Sequence, residues 1–398
     1  MASQPAVARP QGGVHGGMTL EQLLSAKEVV VTCGAGGVGK TTTSAALATM
    51  AAIHLGGRVL VLTIDPARRL ADALGLDGIG NEERRVSPDA FRAAGLKPRG
   101  ELWAAMLDTK ASWDDLIRRH APDVRTRDAI LANPLYDNIT ARFVQSHDYI
   151  AMERLHELHS SGRYDLIVVD TPPSRNALDF LDAPDRMEEF FGGRLLRWLT
   201  APMRNRVIGV ASRPFLNVAD RVLGARFLQD IAEFFVLLQS MEKGFVGRAR
   251  AVSELMADSR STFCVVTTLE TAPAREASFF VDELHRRRLN LGAVIVNKAL
   301  PEWLLSDGPS AVAQAFRDDP AGLAGAVSDA TAVPRAAARR VLREVGESFG
   351  NYAVVATREA EQRVELAASA DVLVSIPMLD EPVNDLASLV RLGQFCWR

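Results

Sequence analysis

Gly34-Ala35-Gly36-Gly37-Val38-Gly39-Lys40-Thr41 is the stretch that decides the fold. It fits the pattern G-x-x-x-x-G-K-[ST], in which glycines let the backbone curl until its N–H groups face phosphate oxygens. The apolar run Glu28–Cys33 before it reads as a buried strand, and Thr42–Ala52 after it reads as a helix. Strand, glycine loop and helix N-terminus together form an anion cradle, because the helix dipole adds favourable charge where the N–H groups converge. In this reading Gly34, Gly36, Gly37, Val38 and Gly39 surround the phosphates, with Thr42 in the first helical turn counted among them. Lys40 meets the β- and γ-phosphates and Thr41 ligates Mg²⁺, so ATP and Mg²⁺ are the expected ligands.

Working outward, short Val/Ile/Leu-rich runs recur at Arg58–Asp65, Tyr164–Asp170, Thr262–Thr268, Leu291–Asn297 and Asp371–Ile376. Intervals long enough to hold helices separate them, which is the pattern of a mostly parallel sheet buried on both faces. The expected fold class is therefore α/β, a phosphate-loop NTPase with a doubly wound sheet flanked by helices. Leu102–Leu107 is ambiguous, since Trp103-Ala-Ala-Met106 also suits the start of a helix.

Residues 1–18 carry Pro5, Pro10 and two Gly-Gly pairs and are expected to be a disordered tail, leaving 19–398 as one domain. Two intervals exceed what a crossover helix needs. The first, about 183–259, has helical spacing at Leu223, Phe227, Ile231, Phe234 and Leu238; the second, about 301–361, is alanine-rich with a helix expected over Ala337–Val345. Both read as helical insertions on the nucleotide core.

The 398 residues include 46 Lys+Arg against 49 Asp+Glu, and only six of the cations are lysines. A net charge of −3 argues against a nucleic-acid partner. Cys33, Cys264 and Cys396 form no CxxC pair, so neither a disulfide framework nor a local zinc site is signalled. No run approaches the roughly 18 to 20 apolar residues that span a bilayer, and a cytoplasmic location is expected. His156 and His159 stand three apart without a third candidate ligand, and Arg286-Arg287-Arg288 closes a helix whose dipole favours cations; both read as structural.

The loop Gly-Ala-Gly-Gly-Val-Gly-Lys-Thr-Thr resembles the deviant phosphate loop of the ATPases that include MinD, ParA, nitrogenase iron protein and ArsA. The position of Ala35 holds in that group a signature lysine that reaches across a dimer interface to the partner's nucleotide. Alanine there turns the expectation from a self-sufficient homodimer toward a heterodimer with a paralogous, lysine-bearing ATPase.

Further segments resemble the ArsA family. Asp65-Pro66-Ala67-Arg68-Arg69-Leu70 looks like its switch I, with Asp65 implied to orient the attacking water and Arg68 standing where the family has histidine. Asp165-Leu-Ile-Val-Val-Asp170-Thr171-Pro172-Pro173-Ser174 places Asp170 at a strand end, where Walker B aspartates meet the Mg²⁺ shell, usually through water. The resemblance implies Lys40, Asp65 and Asp170 as catalytic residues, Asn297 as an adenine contact, and Pro377 in a late loop near the base. The stretch from Asn133 to Pro184 is similar to an actinobacterial branch of the family.

In membrane-targeting members of this family, helical insertions form an apolar groove for a client helix. Phe190, Phe191, Leu195, Leu196, Trp198, Leu199 and Phe215 offer such a surface here, and seven arginines against Asp220 across 194–226 suit peripheral contact with anionic lipid. Arsenite chemistry needs convergent thiolates, which these cysteine spacings do not signal. Two rival expectations stand beside the client-binding ATPase: a non-hydrolysing regulatory subunit, and a ParA-like positioning ATPase.

Overall fold

The computed structural model describes residues 18–64, 68–136, 146–172 and 233–397, with positions 182, 186 and 189. Nearly all of the expected tail, Asp65, and the apolar and arginine-rich parts of the first insertion lie outside the described residues. An eight-stranded sheet carries the fold, in the order β3-β4-β2-β5-β1-β6-β7-β8. Its strands are Val29–Cys33 (β1), Arg58–Thr63 (β2), Arg84–Arg85 (β3), Glu101–Met106 (β4), Leu166–Asp170 (β5), Ser261–Thr267 (β6), Leu291–Ala299 (β7) and Val372–Pro377 (β8). All neighbours pair in parallel except β3 and β4. The chain is a phosphate-loop NTPase of the α/β class.

Alternation in the strands separates two cores. Val29, Val31 and Cys33 of β1 join Leu60 and Leu62 of β2 on one face, packed by the helices Ser146–Ser160, Glu242–Ala257 and Thr271–Arg286. Val30, Val59 and Val61 face the other way, onto the helices Lys40–His54 and Leu386–Cys396. Strands buried on both faces read as unbroken apolar runs, which is why six of them were legible. The ambiguous Leu102–Leu107 is strand: Glu101–Met106 pairs in register with β2, and that pairing overrides the helix-compatible Trp-Ala-Ala-Met.

Some elements were not singled out in the sequence, and one expected helix runs longer than its pattern suggested. The two exposed arginines of β3 have no apolar pattern, only a charged sheet edge. A short helix, Leu20–Ser25, begins at the Thr19/Gln22 capping box and buries Leu20, Leu23 and Leu24. The helix expected over Ala337–Val345 runs 33 residues, Arg335–Ala367. Gly346 does not stop it, because the helix Asp307–Asp318 crosses there so closely that a Cβ would sit 2.8 Å from the Ala313 carbonyl. Phe316, Leu323 and Val327 complete a small separate core with Ala324, Ala338 and Leu342.

Between helices Ser146–Ser160 and Glu242–Ala257, Glu153 accepts from Arg248 Nε at 2.7 Å and from the Tyr149 hydroxyl. Burial pushes its carboxyl up to about 7, against the pull of Arg248. A raised carboxyl means that the folded chain keeps a proton that the unfolded chain releases from about pH 4.5 upward. The contribution of Glu153 to stability therefore falls as pH rises from 4.5 through 7. We expect Glu153→Gln to flatten that part of the urea-midpoint profile; an identical decline in the variant would assign the slope to other groups.

Candidate functional site

The phosphate loop leaves β1 at the carboxyl edge of the sheet, between the neighbours β5 and β6, where the order of strands reverses. Such switch points open a crevice for ligands. Gly34, Gly37 and Gly39 hold φ of 147°, 80° and 94°, a region that side chains rarely enter. Gly34 has a second reason to be glycine, since a Cβ would collide with the Val266 carbonyl of β6. Gly36 and Gly37 are exposed at the turn and Val38 is buried beneath it. The helix Lys40–His54 starts from Gly39 with no side chain capping it, so its first-turn N–H groups have no capping acceptor.

Lys40 folds back over its own loop. Its ammonium donates to the Gly34 carbonyl at 2.9 Å and the Ala35 carbonyl at 2.8 Å, with the residue only 8% exposed. The loop thus keeps a buried cation at its centre, placed by two carbonyls. Ala35 is 5% exposed and belongs to the core below the helix Lys40–His54.

Asp170 ends β5 with no exposed surface. Burying a carboxylate is costly unless donors surround it. Thr41 donates to Oδ2 at 2.6 Å, Thr63 donates to the same oxygen at 2.9 Å, and Ser44 Oγ lies 3.5 Å from Oδ1. Ser44 is in turn 2.6 Å from Thr32, whose backbone carbonyl accepts from the Thr171 hydroxyl at 2.8 Å. The structure therefore brings Thr41 and Asp170 together, as a pair of Mg²⁺-shell groups would be, and Thr42 is half-buried in the same first turn.

Sequence reasoning missed Thr32, Thr63, Thr171 and Ser44. Their signal was available: three threonines at or just beyond the carboxyl ends of apolar strands, and a serine one turn into the helix after Lys40.

Asn297, expected at adenine, is 7% exposed and its Nδ2 donates to the Val38 carbonyl at 2.8 Å, while its Oδ1 accepts from the Lys298 amide. The amide braces the phosphate loop from β7. Pro377 closes β8 opposite Ala299. Three strand spacings, about 14 Å in all, separate β8 from β1. Asp65 and the side chains of Arg68 and Arg69 lie outside the described residues, and of the residues Thr171–Ser174 that follow Asp170 only Thr171 and Pro172 are described.

The cysteines are free and buried. Burial pushes the Cys264 and Cys396 thiols up to about 12, and Cys33 higher still. All three stay protonated at neutral pH. His159 binds Glu28 at 2.7 Å and is a structural partner across the sheet's lower edge. Arg286 and Arg287 pair with Glu283, and Arg287 also with Asp182, as the expected structural cations of that helix end.

The two glycines separate two constraints. Gly34→Ala forces a carbonyl of β6 to move, whereas Gly37→Ala meets no atom within 4 Å and incurs only backbone strain, about 1–2 kcal/mol. Denaturant unfolding should show a clearly larger loss for Gly34→Ala. Equal losses would mean that the contact with Val266 does not constrain the loop.

Residues 27–314 match the family of anion-transporting ATPases. Over 271 residues the chain is 28% identical to the ATPase get3 of Aspergillus terreus, spanning 67% of this chain and 72% of that relative. It is 25% identical over 274 residues to the ATPase GET3 of Rhodotorula glutinis, 67% of this chain and 68% of the relative. A Chlorobaculum tepidum protein named as an arsenical pump-driving ATPase is 24% identical over 271 residues, but the match spans only 60% of its length and 67% of this chain. A matched family over most of the chain and a loop built to receive phosphate agree: this protein belongs to the ArsA-type anion-transporting ATPase family.

Proposed function

We propose that this chain is a Mg-dependent ATPase whose nucleotide state rearranges a dimer and thereby opens or closes a helical, apolar client-binding surface. The observation that carries the reading is the joint placement of Lys40, Thr41 and Asp170 around one glycine loop. Mg²⁺, when bound, screens phosphate charge; Thr41 and Asp170 are the groups that would hold it, Asp170 through water. Lys40 would exchange its two carbonyls for phosphate oxygens, a swap of acceptors that needs only rotation of its flexible stem. The glycine loop and the uncapped helix start, with Val38, Thr42 and the brace from Asn297, supply donors that are fixed before the ligand arrives.

Asp65 carries over from the family resemblance as the residue that orients water, and Pro377 as part of the wall near the base. Client binding draws on Phe190, Phe191, Leu195, Leu196, Trp198, Leu199 and Phe215, and membrane contact on the arginines of 194–226. These residues support a protein that works in the cytoplasm and touches the bilayer peripherally. Among the described residues no helix is long and apolar enough to cross a membrane.

A second reading is favoured by Ala35. The signature position carries a methyl group turned into the core, so the second cation at the nucleotide has to come from elsewhere. A lysine-bearing paralogue in a heterodimer would provide it, with this chain as the regulatory partner.

ATP turnover of the isolated chain, and of the chain mixed with a paralogue, separates the two. On the ATPase reading, the isolated chain turns over ATP and Lys40→Ala lowers the rate by about a hundredfold or more. On the heterodimer reading the isolated chain is nearly inert, and a paralogue or Ala35→Lys restores turnover. Robust, Lys40-dependent turnover alone sinks the regulatory reading; no turnover under any condition sinks both. For the client, crosslinking from Trp198 and Phe227 should capture an apolar segment in one nucleotide state, and capture in neither state would refute client binding.

A further inference from the structure

The long helix Arg335–Ala367 presents two apolar stripes, and the fold uses one. Ala338, Leu342 and Gly346 turn inward, onto the helices Asp307–Asp318 and Pro320–Thr331, and Ala356 is buried farther along, beside Leu269 and Ala299. About a quarter-turn away lie Val341, Val345, Ser348, Tyr352 and Val355, spaced by four, three, four and three residues. That is the a/d repeat of a coiled-coil seam, continued for two heptads. Val341 is 50% exposed, Val345 48%, Tyr352 57% and Val355 44%. Single exposed apolar residues on a helix are ordinary, and Val354 and Val364 of this helix are two of them off the stripe, but four in one a/d register form a short face of the kind that packs on another helix. The seam lies beyond residues 27–314, the part of the chain that matches the family.

We infer that this seam pairs antiparallel with the same helix of a second copy of the chain. Charge selects both the occupant and its direction. Glu344, Asn351 and Arg358 stand one heptad apart along the open flank of the seam, all exposed. An antiparallel two-fold pair sets Val345 against the partner's Val355 and Ser348 against the partner's Tyr352. The same register brings Glu344 to the partner's Arg358, twice by symmetry, with Asn351 meeting its own copy near the axis. A parallel pair in register would instead turn Glu344 toward the partner's Phe349 and Arg358 toward the partner's Arg363, whose guanidinium is already paired with its own Glu302 at 2.7 Å, so Glu344 and Arg358 would find no opposite charge. Within its own chain Glu344 has only a 3.9 Å approach to Arg340, both well exposed, so it can turn to a partner at little loss.

This pairing does not rest on the nucleotide-driven assembly proposed above, and is measured without nucleotide. Sedimentation equilibrium of the full chain should show a concentration-dependent dimer, unchanged in Lys40→Ala. Val345→Glu, at a half-exposed position, should abolish it while circular dichroism stays native. Glu344→Arg alone should weaken it about tenfold or more, and Glu344→Arg with Arg358→Glu should recover it. A bismaleimide crosslinker should join two copies of Asn351→Cys, a clean readout because the three native thiols are buried. A monomer at all concentrations, which is also what coverage of the seam by another part of this chain would give, overturns the inference. So does a dimer indifferent to Val345→Glu, or a charge-swapped pair that fails to recover.

Discussion

A carboxylate with no exposed surface, Asp170, is the point on which the centre of this molecule depends. Left alone it would pull the fold apart, because an unpaired buried charge costs several kcal/mol. Its donors come from separate elements: Thr63 from β2, Thr41 and Ser44 from the helix after the phosphate loop. Satisfying one side chain therefore fixes the relative position of two strands and a helix. The same requirement bears on the proposed function, since Thr41 and Asp170, the two groups proposed to hold Mg²⁺, share a hydrogen bond of 2.6 Å.

A second constraint runs from β6 and β7 into the loop. The Val266 carbonyl admits no side chain at Gly34, and the Asn297 amide holds the Val38 carbonyl. With the backbone held on both sides, the loop keeps the curl set by the positive φ of Gly34, Gly37 and Gly39. Lys40 is kept beside the loop by donating to Gly34 and Ala35, so its charge needs only a change of acceptor to meet a phosphate. Preset donors are what electrostatic catalysis requires, because no reorganisation is paid for at the moment of reaction.

How much of this could be read from the chain depended on whether the signal was local. The loop and six strands were legible because apolar runs buried on both faces and a glycine pattern are written in consecutive residues. Asn297 was placed at the site, but its role as a brace was hidden: it acts on Val38, 259 positions away in sequence. Thr63 was overlooked for the same reason, since a threonine ending a strand looks like any other until Asp170 is beside it. Only Ala337–Val345 of the helix Arg335–Ala367 reads as helical in the sequence, and only the crossing helix explains why Gly346, inside it, is glycine.

That crossing also bears on how the long helix keeps a second surface. Gly346 lets the helix Asp307–Asp318 approach closely, so the small core of Ala338, Leu342 and their neighbours holds the long helix without using its whole circumference. A helix held on one narrow face is free to keep a second apolar stripe on another. Valines and a tyrosine at a/d spacing would be a solubility liability if they served nothing. The flanking glutamate and arginine favour one register and one direction, which is how a short seam gains specificity that its modest area alone would not give.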